Sequence, residues 1–291
     1  MKNINIFCYG FGQVAKSFVN RLSLEGFKIH LSTTNRSETT FNKIGNVEYK
    51  SYKFENNNFD EEIFDKLKNS DHILISIPPI DGNDIVINNF SDSLKISNIK
   101  WITYLSATSV YGNHEGEWVN ELSKTHPTSP LGINRLKVEE KWLSFVKKNN
   151  LPLQIFRLSG IYSNKNNPLL RLKSGNANII NKPNHFFSRI HVEDIANILL
   201  KSLTNFKTNE IYNISDDKPA SSQEVMSYAA KILKTDLPKT IEEQDIKSEM
   251  LKNFYKDSKK VSNKKMKKFF NYNLKFPTYI EGLNNISNNL T

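Results

Sequence analysis

The chain has 291 residues, of which 38% are hydrophobic and 24% charged, a composition that indicates a globular protein rather than a disordered one. Its single cysteine, Cys8, excludes an internal disulfide and a cysteine-rich metal site, and it fits a reducing, cytoplasmic setting. No segment reaches the ~20 apolar residues of a membrane span, and we expect neither an anchor nor a secretion signal. The net charge of +10 suits an anionic ligand.

Predicted strands and helices alternate along the first 160 residues. The apolar run 3–9 predicts a short buried strand, and a helical pattern over 13–24 follows it after a glycine break. This alternation predicts an α/β fold with a parallel, doubly wound sheet of the Rossmann type. Further strands are predicted at 28–32, 47–54, 72–77, 101–105 and 153–158, and a long amphipathic helix at 135–148.

The remainder of the chain is less regular. Helices are predicted over 190–203 and 224–233, and a short strand over 211–214. The run 252–268 carries eight lysines with apolar residues between them, which favours a solvated helical face over a nucleic-acid arm. We expect a dinucleotide-binding domain over 1–159, with 188–214 returning to its sheet, and a smaller substrate-binding lobe formed by 160–187 and 215–291.

A glycine motif follows the first predicted strand and opens the first predicted helix. Gly10, Gly12 and Ala15 stand in a GxGxxA pattern, in which the first glycine permits a tight turn and the second lets the backbone approach a pyrophosphate. Backbone N–H groups at the helix start then face the anion. In this context the motif predicts dinucleotide binding rather than an ordinary turn.

The end of the second predicted strand indicates which dinucleotide binds. An NAD site usually has an Asp or Glu about 20 residues after the glycines. No carboxylate stands between Glu25 and Glu38, whereas Thr33, Thr34 and Arg36 offer hydroxyls and a guanidinium that suit a 2′-phosphate. We therefore expect NADP, with NAD the less favoured cofactor; the alternative is that the Arg36 side chain is merely a solvated loop charge.

Five further segments carry longer motifs. They read LSATSVYG over 105–112, PTSPLGINRL over 127–136 with Glu139, RLSGIY over 157–162, IHVEDIA over 190–196 and YNISDD over 212–217. In this order, and with the glycine loop, they resemble the extended short-chain dehydrogenases, the NAD(P)-dependent epimerases and dehydratases, especially their atypical members. The resemblance covers nearly the whole chain. It implies a nicotinamide cofactor and, as substrate, a nucleotide sugar or a related polar carbonyl or alcohol.

The resemblance also implies a catalytic triad of Ser or Thr, Tyr and Lys, from which this chain departs at each position. The hydroxyl position falls on Ala107, the Tyr position on Leu131 and the Lys position on Arg135. Leucine cannot exchange a proton, and arginine does not readily lose one. The candidate catalytic residues are therefore Ser106, Thr108, Tyr111, Asn134 and Arg135. The predicted cofactor contacts are Gly10, Gly12, Gln13, Val14, Thr33, Thr34, Arg36, Ser76, Ile77, Pro78, Ser106, Arg135, Leu158 and Gly160.

Two interpretations of this departure remain open. In the first, the protein is an atypical oxidoreductase or epimerase/dehydratase in which other side chains transfer the proton. In the second, the protein still binds the dinucleotide but has no catalytic activity, and it acts as a cofactor-sensing or partner-binding protein. Nucleic-acid binding rests on net charge alone and is not expected. We expect a small-molecule substrate, no membrane association, and a monomer or homodimer.

Histidine chemistry receives little support from the sequence. His191 and Asp194 precede an apolar helical stretch, which favours a packed histidine and a helix cap over a His–Asp relay. The six histidines show no metal-ligand spacing, and no metal is expected.

Overall fold

A computed structural model of the chain describes residues 2–289. The elements of its first half are β1 (Asn3–Tyr9), α1 (Gln13–Leu24), β2 (Lys28–Asn35), β3 (Thr40–Ile44), β4 (Val47–Glu55), β5 (Asn58–Phe59), α2 (Glu62–Lys68), β6 (His72–Ile75), α3 (Ile85–Ile96), β7 (Trp101–Ala107), β8 (Trp118–Val119) and α4 (Pro130–Asn149). Those of its second half are β9 (Leu153–Leu158), β10 (Gly160–Tyr162), α5 (Pro168–Lys173), β11 (Ile179–Asn181), β12 (Arg189–His191), α6 (Val192–Ser202), β13 (Glu210–Ile214), α7 (Ser222–Leu233), β14 (Thr240–Glu242), α8 (Glu249–Lys256), β15 (Lys260–Val261), α9 (Lys264–Phe270) and α10 (Tyr279–Asn288).

Within residues 2–289, nine strands form the main sheet. Their order is β13-β9-β7-β6-β1-β2-β4-β3, with β5 paired to β4. Strand β1 pairs in parallel with both β2 and β6, so the chain builds the sheet outward on both sides of β1. This is the doubly wound arrangement, in which a crevice opens at the carboxyl ends of the central strands. The predicted Rossmann-type fold is confirmed.

The predicted bounds of β1, α1 and β9 are confirmed, because each is a strongly patterned segment limited by turn residues. Strands β2, β4, β6 and β7 end at other residues than predicted, and two of these differences affect predicted site residues. Strand β2 continues to Asn35, which places Thr33 and Thr34 inside the strand, and β6 stops at Ile75, which places Ser76 and Ile77 in a loop.

Strand β3 was not predicted at all. Along the chain it comes between β2 and β4, whereas in the sheet it is the edge strand, antiparallel to β4, with four of its five residues exposed. An exposed edge strand shows no apolar alternation, so the sequence carries no signal for it. The single helical face predicted over 252–268 is also wrong, since β15 separates α8 from α9.

The described chain packs as two compact units. The first comprises residues 2–106, 134–157 and 195–212, and the second 107–133, 158–194 and 213–289. The predicted domain boundaries stay a prediction. The core of the first unit is rich in aromatic residues, such as Tyr9 and Phe90 with ring centroids 5.6 Å apart. In the second unit, Leu169, Val225 and Leu283 belong to one buried apolar cluster.

Candidate functional site

Two glycines shape the loop between β1 and α1, each in a different way. Gly10 has a φ of +80°, and a Cβ there would lie 2.7 Å from Ile77 Cγ2, so a side chain is excluded on both grounds. Thr34 Oγ1 accepts a hydrogen bond from the Gly10 N–H at 2.9 Å, and Ser76 Oγ donates to the Gly10 carbonyl at 2.9 Å. Gly12 has no neighbouring atom within 4 Å of an added Cβ, which leaves open space beside its backbone.

Helix α1 begins without a side-chain cap. Gly12 is its N-cap, and the first turn contains no acidic residue. The first N–H groups of a helix have no intrahelical partner and form the positive end of the helix dipole. Lys16 adds a cation in the same turn, with its Nζ 5.8 Å from the centre of the Phe11 ring. This arrangement suits an anion such as a diphosphate.

A cleft of about 870 Å³ lies in the first unit around this helix start. That volume is within the range of ligand and cofactor sites, about 300–1,000 Å³. The glycine loop, the end of β2, β3, β4 and the loop after β6 form its walls. The predicted cofactor residues that line it are Gly10, Gly12, Thr34, Arg36, Ser76, Ile77 and Pro78.

Predicted residues at the end of β2 differ in their access to the cleft. Arg36 is exposed in the cleft wall, and within residues 2–289 it has no ion-pair partner. The Thr34 hydroxyl is occupied by the Gly10 N–H. Thr33 is fully buried in β2 and is not part of the cleft wall, because the strand continues past it and turns its side chain inward. Of these residues, Arg36 has the group available for a phosphate.

Two predicted cofactor contacts, Gln13 and Val14, lie at the start of α1. Val14 is buried, so its side chain packs into the core, while Gln13 is exposed at the first helical position. Both contribute N–H groups of the first turn, where a helix has unpaired donors.

The cleft also contains residues that the sequence did not single out. Phe11 packs against Tyr49 with ring centroids 4.9 Å apart. Glu38 lines the cleft too, and its carboxylate pairs with Lys53 at 3.2 Å. Tyr49 lies on β4, beside the unpredicted β3, so no local pattern indicated that it would line the cleft.

Three of the candidate catalytic residues belong to the first unit. Ser106 lies near the end of β7, is 3% exposed, and its Oγ has no hydrogen-bond partner among the described residues. Arg135 Nη1 donates to the Leu105 carbonyl at 2.8 Å and to the Tyr104 hydroxyl at 3.1 Å, which fixes its guanidinium. Asn134 lies beside Gly82, where an added Cβ would be 3.3 Å from Asn134 Oδ1.

A buried carboxylate in the electrostatic surroundings of Arg135 was missed. Asp84 is the N-cap of α3 and accepts from the N–H groups of Val86 and Ile87, each at 2.9 Å, and from Trp142 Nε1 at 3.0 Å. Burial raises the pKa of Asp84, and its hydrogen bonds and the charge of Arg135 act in the opposite direction. An Asp directly before an apolar helical run is the sequence signal for such a cap.

The other two candidate catalytic residues belong to the second unit, in a 3₁₀ turn over Thr108–Tyr111. Tyr111 is fully buried, and its hydroxyl donates to Asn213 Oδ1 at 2.7 Å. This contact explains Tyr111 as a packing residue, because its hydroxyl lies in the interior of the unit. The predicted cofactor contacts Leu158 and Gly160 are also in this unit, the former buried and the latter exposed in β10.

An ion pair joins two of the motif segments. Arg157 Nη2 lies 2.7 Å from Glu139 Oε2, and Arg157 Nε contacts both carboxylate oxygens at 3.1 and 3.2 Å. Both side chains are at most 5% exposed. The motif residues at these positions therefore hold helix α4 to strand β9.

His191 is packed, as the sequence predicted. Its ring packs against the rings of Phe276 and Tyr162, with centroids 4.2 and 5.0 Å apart. Burial lowers the pKa of His191 to about 4. The predicted cap by Asp194 is wrong, because the Asp194 carboxylate instead accepts from the Tyr272 hydroxyl at 2.6 Å and from two backbone N–H groups of the segment 275–276. It anchors the C-terminal segment of the second unit.

Neither a metal centre nor a membrane span is found in the described part of the chain. No group of three or more His, Cys, Asp and Glu within residues 2–289 is placed to hold a metal ion. No helix over the same residues is long and apolar enough to cross a bilayer.

The sheet order, the glycine loop and the cleft define a doubly wound α/β protein of the Rossmann type. The model of the NAD dependent epimerase/dehydratase family matches residues 83–215. This match confirms the resemblance that the sequence motifs indicated.

Solved structures give the same fold. A conserved protein of unknown function from Silicibacter pomeroyi is 30% identical, with a TM-score of 0.86 over 99% of each chain. A Thermotoga maritima UDP-glucose 4-epimerase, solved with UDP-glucose, is 16% identical with a TM-score of 0.78 over 98% of this chain and 97% of its own. A Bacillus cereus UDP-glucuronic acid 4-epimerase, solved with NAD, is 14% identical with a TM-score of 0.75 over 99% and 96%. No curated protein matches the chain.

Proposed function

We propose that this chain is an NADP-dependent oxidoreductase or epimerase/dehydratase that acts on a nucleotide sugar or a related polar carbonyl or alcohol. The observation that carries the proposal is the uncapped start of α1 beside the open face of Gly12, inside a cleft large enough for a dinucleotide. The Bacillus cereus epimerase binds NAD and the Thermotoga maritima epimerase binds UDP-glucose, which supports the same classes of cofactor and substrate here.

The chain's own residues divide the work of holding the cofactor. Backbone N–H groups of Gly12, Gln13 and Val14 would hold the diphosphate, and the free guanidinium of Arg36 would hold the 2′-phosphate that distinguishes NADP from NAD. When bound, the nicotinamide supplies a hydride acceptor or donor. Lys16 adds a second positive charge to the same cleft.

Ser106 and Arg135 are the groups we propose for the chemistry. The unpartnered hydroxyl of Ser106 is one residue from the usual hydroxyl position at Ala107, and it can donate a hydrogen bond to a carbonyl oxygen. The guanidinium of Arg135 is fixed by two hydrogen bonds and stays charged, so it stabilises negative charge without transferring a proton.

Gly12→Val tests the cofactor site. The backbone of Gly12, with φ −82° and ψ −167°, is extended and accepts valine, and no atom lies within 4 Å of the new Cβ. We expect NADPH binding to be at least tenfold weaker, measured by fluorescence titration, and the melting temperature to fall by only a few degrees, because valine is a poorer N-cap than glycine. Gln13→Ala, which keeps the backbone N–H, is the control and should bind normally. Unchanged NADPH affinity in Gly12→Val would contradict the proposed cofactor site.

A second candidate function is a cofactor-sensing or partner-binding protein without turnover. It is favoured by Leu131, which stands 64% exposed at the position of the family's tyrosine, and by the buried hydroxyl of Tyr111. Measuring NADPH oxidation with a panel of sugar nucleotides and small carbonyl compounds distinguishes the enzyme from the sensor. Turnover that falls at least tenfold in Ser106→Ala, with NADPH affinity kept, supports the enzyme; tight NADPH binding with no turnover of any compound supports the sensor.

A further inference from the structure

Gly10 is held from two sides by side chains of the strands that flank β1. Strand β1 ends one residue before Gly10, and it pairs in parallel with β2 on one side and with β6 on the other. The register of these pairs brings Thr34, near the end of β2, and Ser76, directly after β6, beside Gly10. Residues from three separate segments of the chain therefore meet at the first turn of the glycine loop.

The two hydrogen bonds act on the two peptide groups that flank the Gly10 Cα. Thr34 Oγ1 accepts from the Gly10 N–H at 2.9 Å, which orients the peptide group before the Cα. Ser76 Oγ donates to the Gly10 carbonyl at 2.9 Å, which orients the peptide group after it. Since φ and ψ describe the rotation of these two groups, the pair of side chains holds both dihedral angles of Gly10.

This glycine gains more from such support than another residue would. Glycine has the widest choice of backbone conformations, and Gly10 has a φ of +80°. The direction in which the chain leaves Gly10 determines where Gly12 and the first N–H groups of α1 lie. A loop that already has its ligand-bound conformation binds more tightly than a loop that must be ordered on binding.

Neither hydroxyl is well placed to contact a ligand itself. Thr34 is only 3% exposed, and its Oγ1 is directed at the Gly10 N–H. Ser76 has a single hydroxyl hydrogen, which is directed at the Gly10 carbonyl and, at 3.1 Å, at the Tyr9 carbonyl. The sequence motifs placed both residues among the direct cofactor contacts, whereas their hydrogen bonds connect them to the loop.

We propose that Thr34 and Ser76 are positioning residues, which hold Gly10 in the conformation that presents the start of α1 to a diphosphate. The inference rests on the proposed function, because a dinucleotide supplies that diphosphate. The diphosphate is common to NADPH and NADH. Loss of either hydroxyl should therefore weaken both cofactors alike, unlike loss of Arg36.

Two substitutions of Thr34 separate positioning from packing. Thr34→Val keeps the shape and loses the acceptor, so NADPH and NADH should both bind about fivefold more weakly, the scale of one hydrogen bond. Thr34→Ser keeps the acceptor and loses a buried methyl group, so it should bind both normally, although its melting temperature falls by a few degrees. Thr33→Val removes a buried hydroxyl that has no hydrogen-bond partner among the described residues, and it is the control.

Ser76→Ala tests the other side of the loop and should also weaken both cofactors about fivefold in fluorescence titrations. Amide hydrogen exchange of the segment 9–13 gives a second readout that needs no cofactor. Exchange should be several-fold faster in Thr34→Val and Ser76→Ala than in the parent chain, and unchanged in Thr34→Ser.

Unchanged affinity in Thr34→Val and Ser76→Ala would overturn the proposal. So would affinities that follow the melting temperature instead of the hydroxyl, or a changed ratio of NADPH to NADH affinity. Failure of the proposed function gives a different result, because the parent chain then binds neither cofactor. If only the positioning role fails, the parent still binds NADPH and Gly12→Val still loses it.

Discussion

At the scale of a single residue, the proposed preference for NADP depends on Arg36. Its guanidinium is exposed at the end of β2 in the cleft wall, and it has no ion-pair partner among the described residues. Arg36→Ala should weaken NADPH at least tenfold and NADH hardly at all, because only NADPH has the 2′-phosphate. Fluorescence titrations with both cofactors measure the ratio. Lys43→Ala, on β3 outside the cleft lining, is the control, and equal weakening of the two cofactors would contradict the assignment.

Glu139 and Arg157 illustrate how a motif residue acts through structure. Glu139→Gln leaves the Arg157 charge buried without its ionic partner, and we expect a loss of about 3 kcal/mol in the free energy of unfolding. Urea denaturation measures the loss. The double variant Glu139→Leu/Arg157→Met should recover much of it, since neither charge is then buried. Asp92→Asn, at the exposed pair with Lys95, should cost at most about 1 kcal/mol. Equal losses at both pairs would contradict this account.

At the scale of elements, strand β3 changes how the cleft around the start of α1 is built. A doubly wound fold leads from β2 to the next parallel strand by a crossover, usually a helix. Here the antiparallel β3 stands in that connection, and Thr40 and Asn42 from it line the cleft. Wall residues of the crevice thus come from a sheet edge rather than from a crossover helix.

Helix α10 depends on one glycine for its packing in the second unit. An added Cβ at Gly282 would overlap the Tyr162 hydroxyl and lie 2.6 Å from Tyr162 Cε2. Gly282→Ala should therefore lower the free energy of unfolding by about 2 kcal/mol, although alanine is the better helix former. Chemical denaturation tests this. Asn288→Ala, at the exposed end of the same helix, is the matched control, and a stabilised Gly282→Ala would show that the two elements do not pack this closely.

At the scale of the whole molecule, buried histidines make stability depend on pH. Burial lowers the pKa of both His185 and His191 to about 4. The unfolded chain takes up these protons near pH 6.5, whereas the folded protein resists them until about pH 4. Above pH 6.5 the two histidines are neutral in both states and do not reduce the free energy of unfolding. As the pH falls from 6.5 to 4, protonation of the unfolded chain progressively lowers that free energy.

His191→Asn should flatten the dependence of unfolding free energy on pH by about 1 kcal/mol per pH unit within that window. Buried Asp84, Asp194 and Asp216 have raised pKa values and act in the opposite direction, so the comparison of variant with parent isolates the histidine. Urea titrations between pH 4.5 and 7 measure the slope. His30→Asn, at an exposed strand position, is the control. An unchanged slope in His191→Asn would contradict the account.

The segments that were predictable share one property: their signal is local. Strand β1, Gly10 and helix α1 each require particular residue types at fixed spacing, and β9 is a continuous apolar run between turns. The inward turn of Thr33 and the position of Tyr49 have no such signal. They depend on which strands and helices meet, and neighbouring residues in sequence do not encode that.

The sequence by itself determined the doubly wound fold, the family resemblance and the glycine loop, because periodicity and glycine geometry act over a few residues. Only the tertiary structure decided which side chains reach the cleft. It left Arg36 free, occupied the hydroxyls of Thr34 and Tyr111, and gave Asp194 a packing role. The reason is that a hydrogen bond between residues far apart in the chain forms only when folding brings them within about 3 Å.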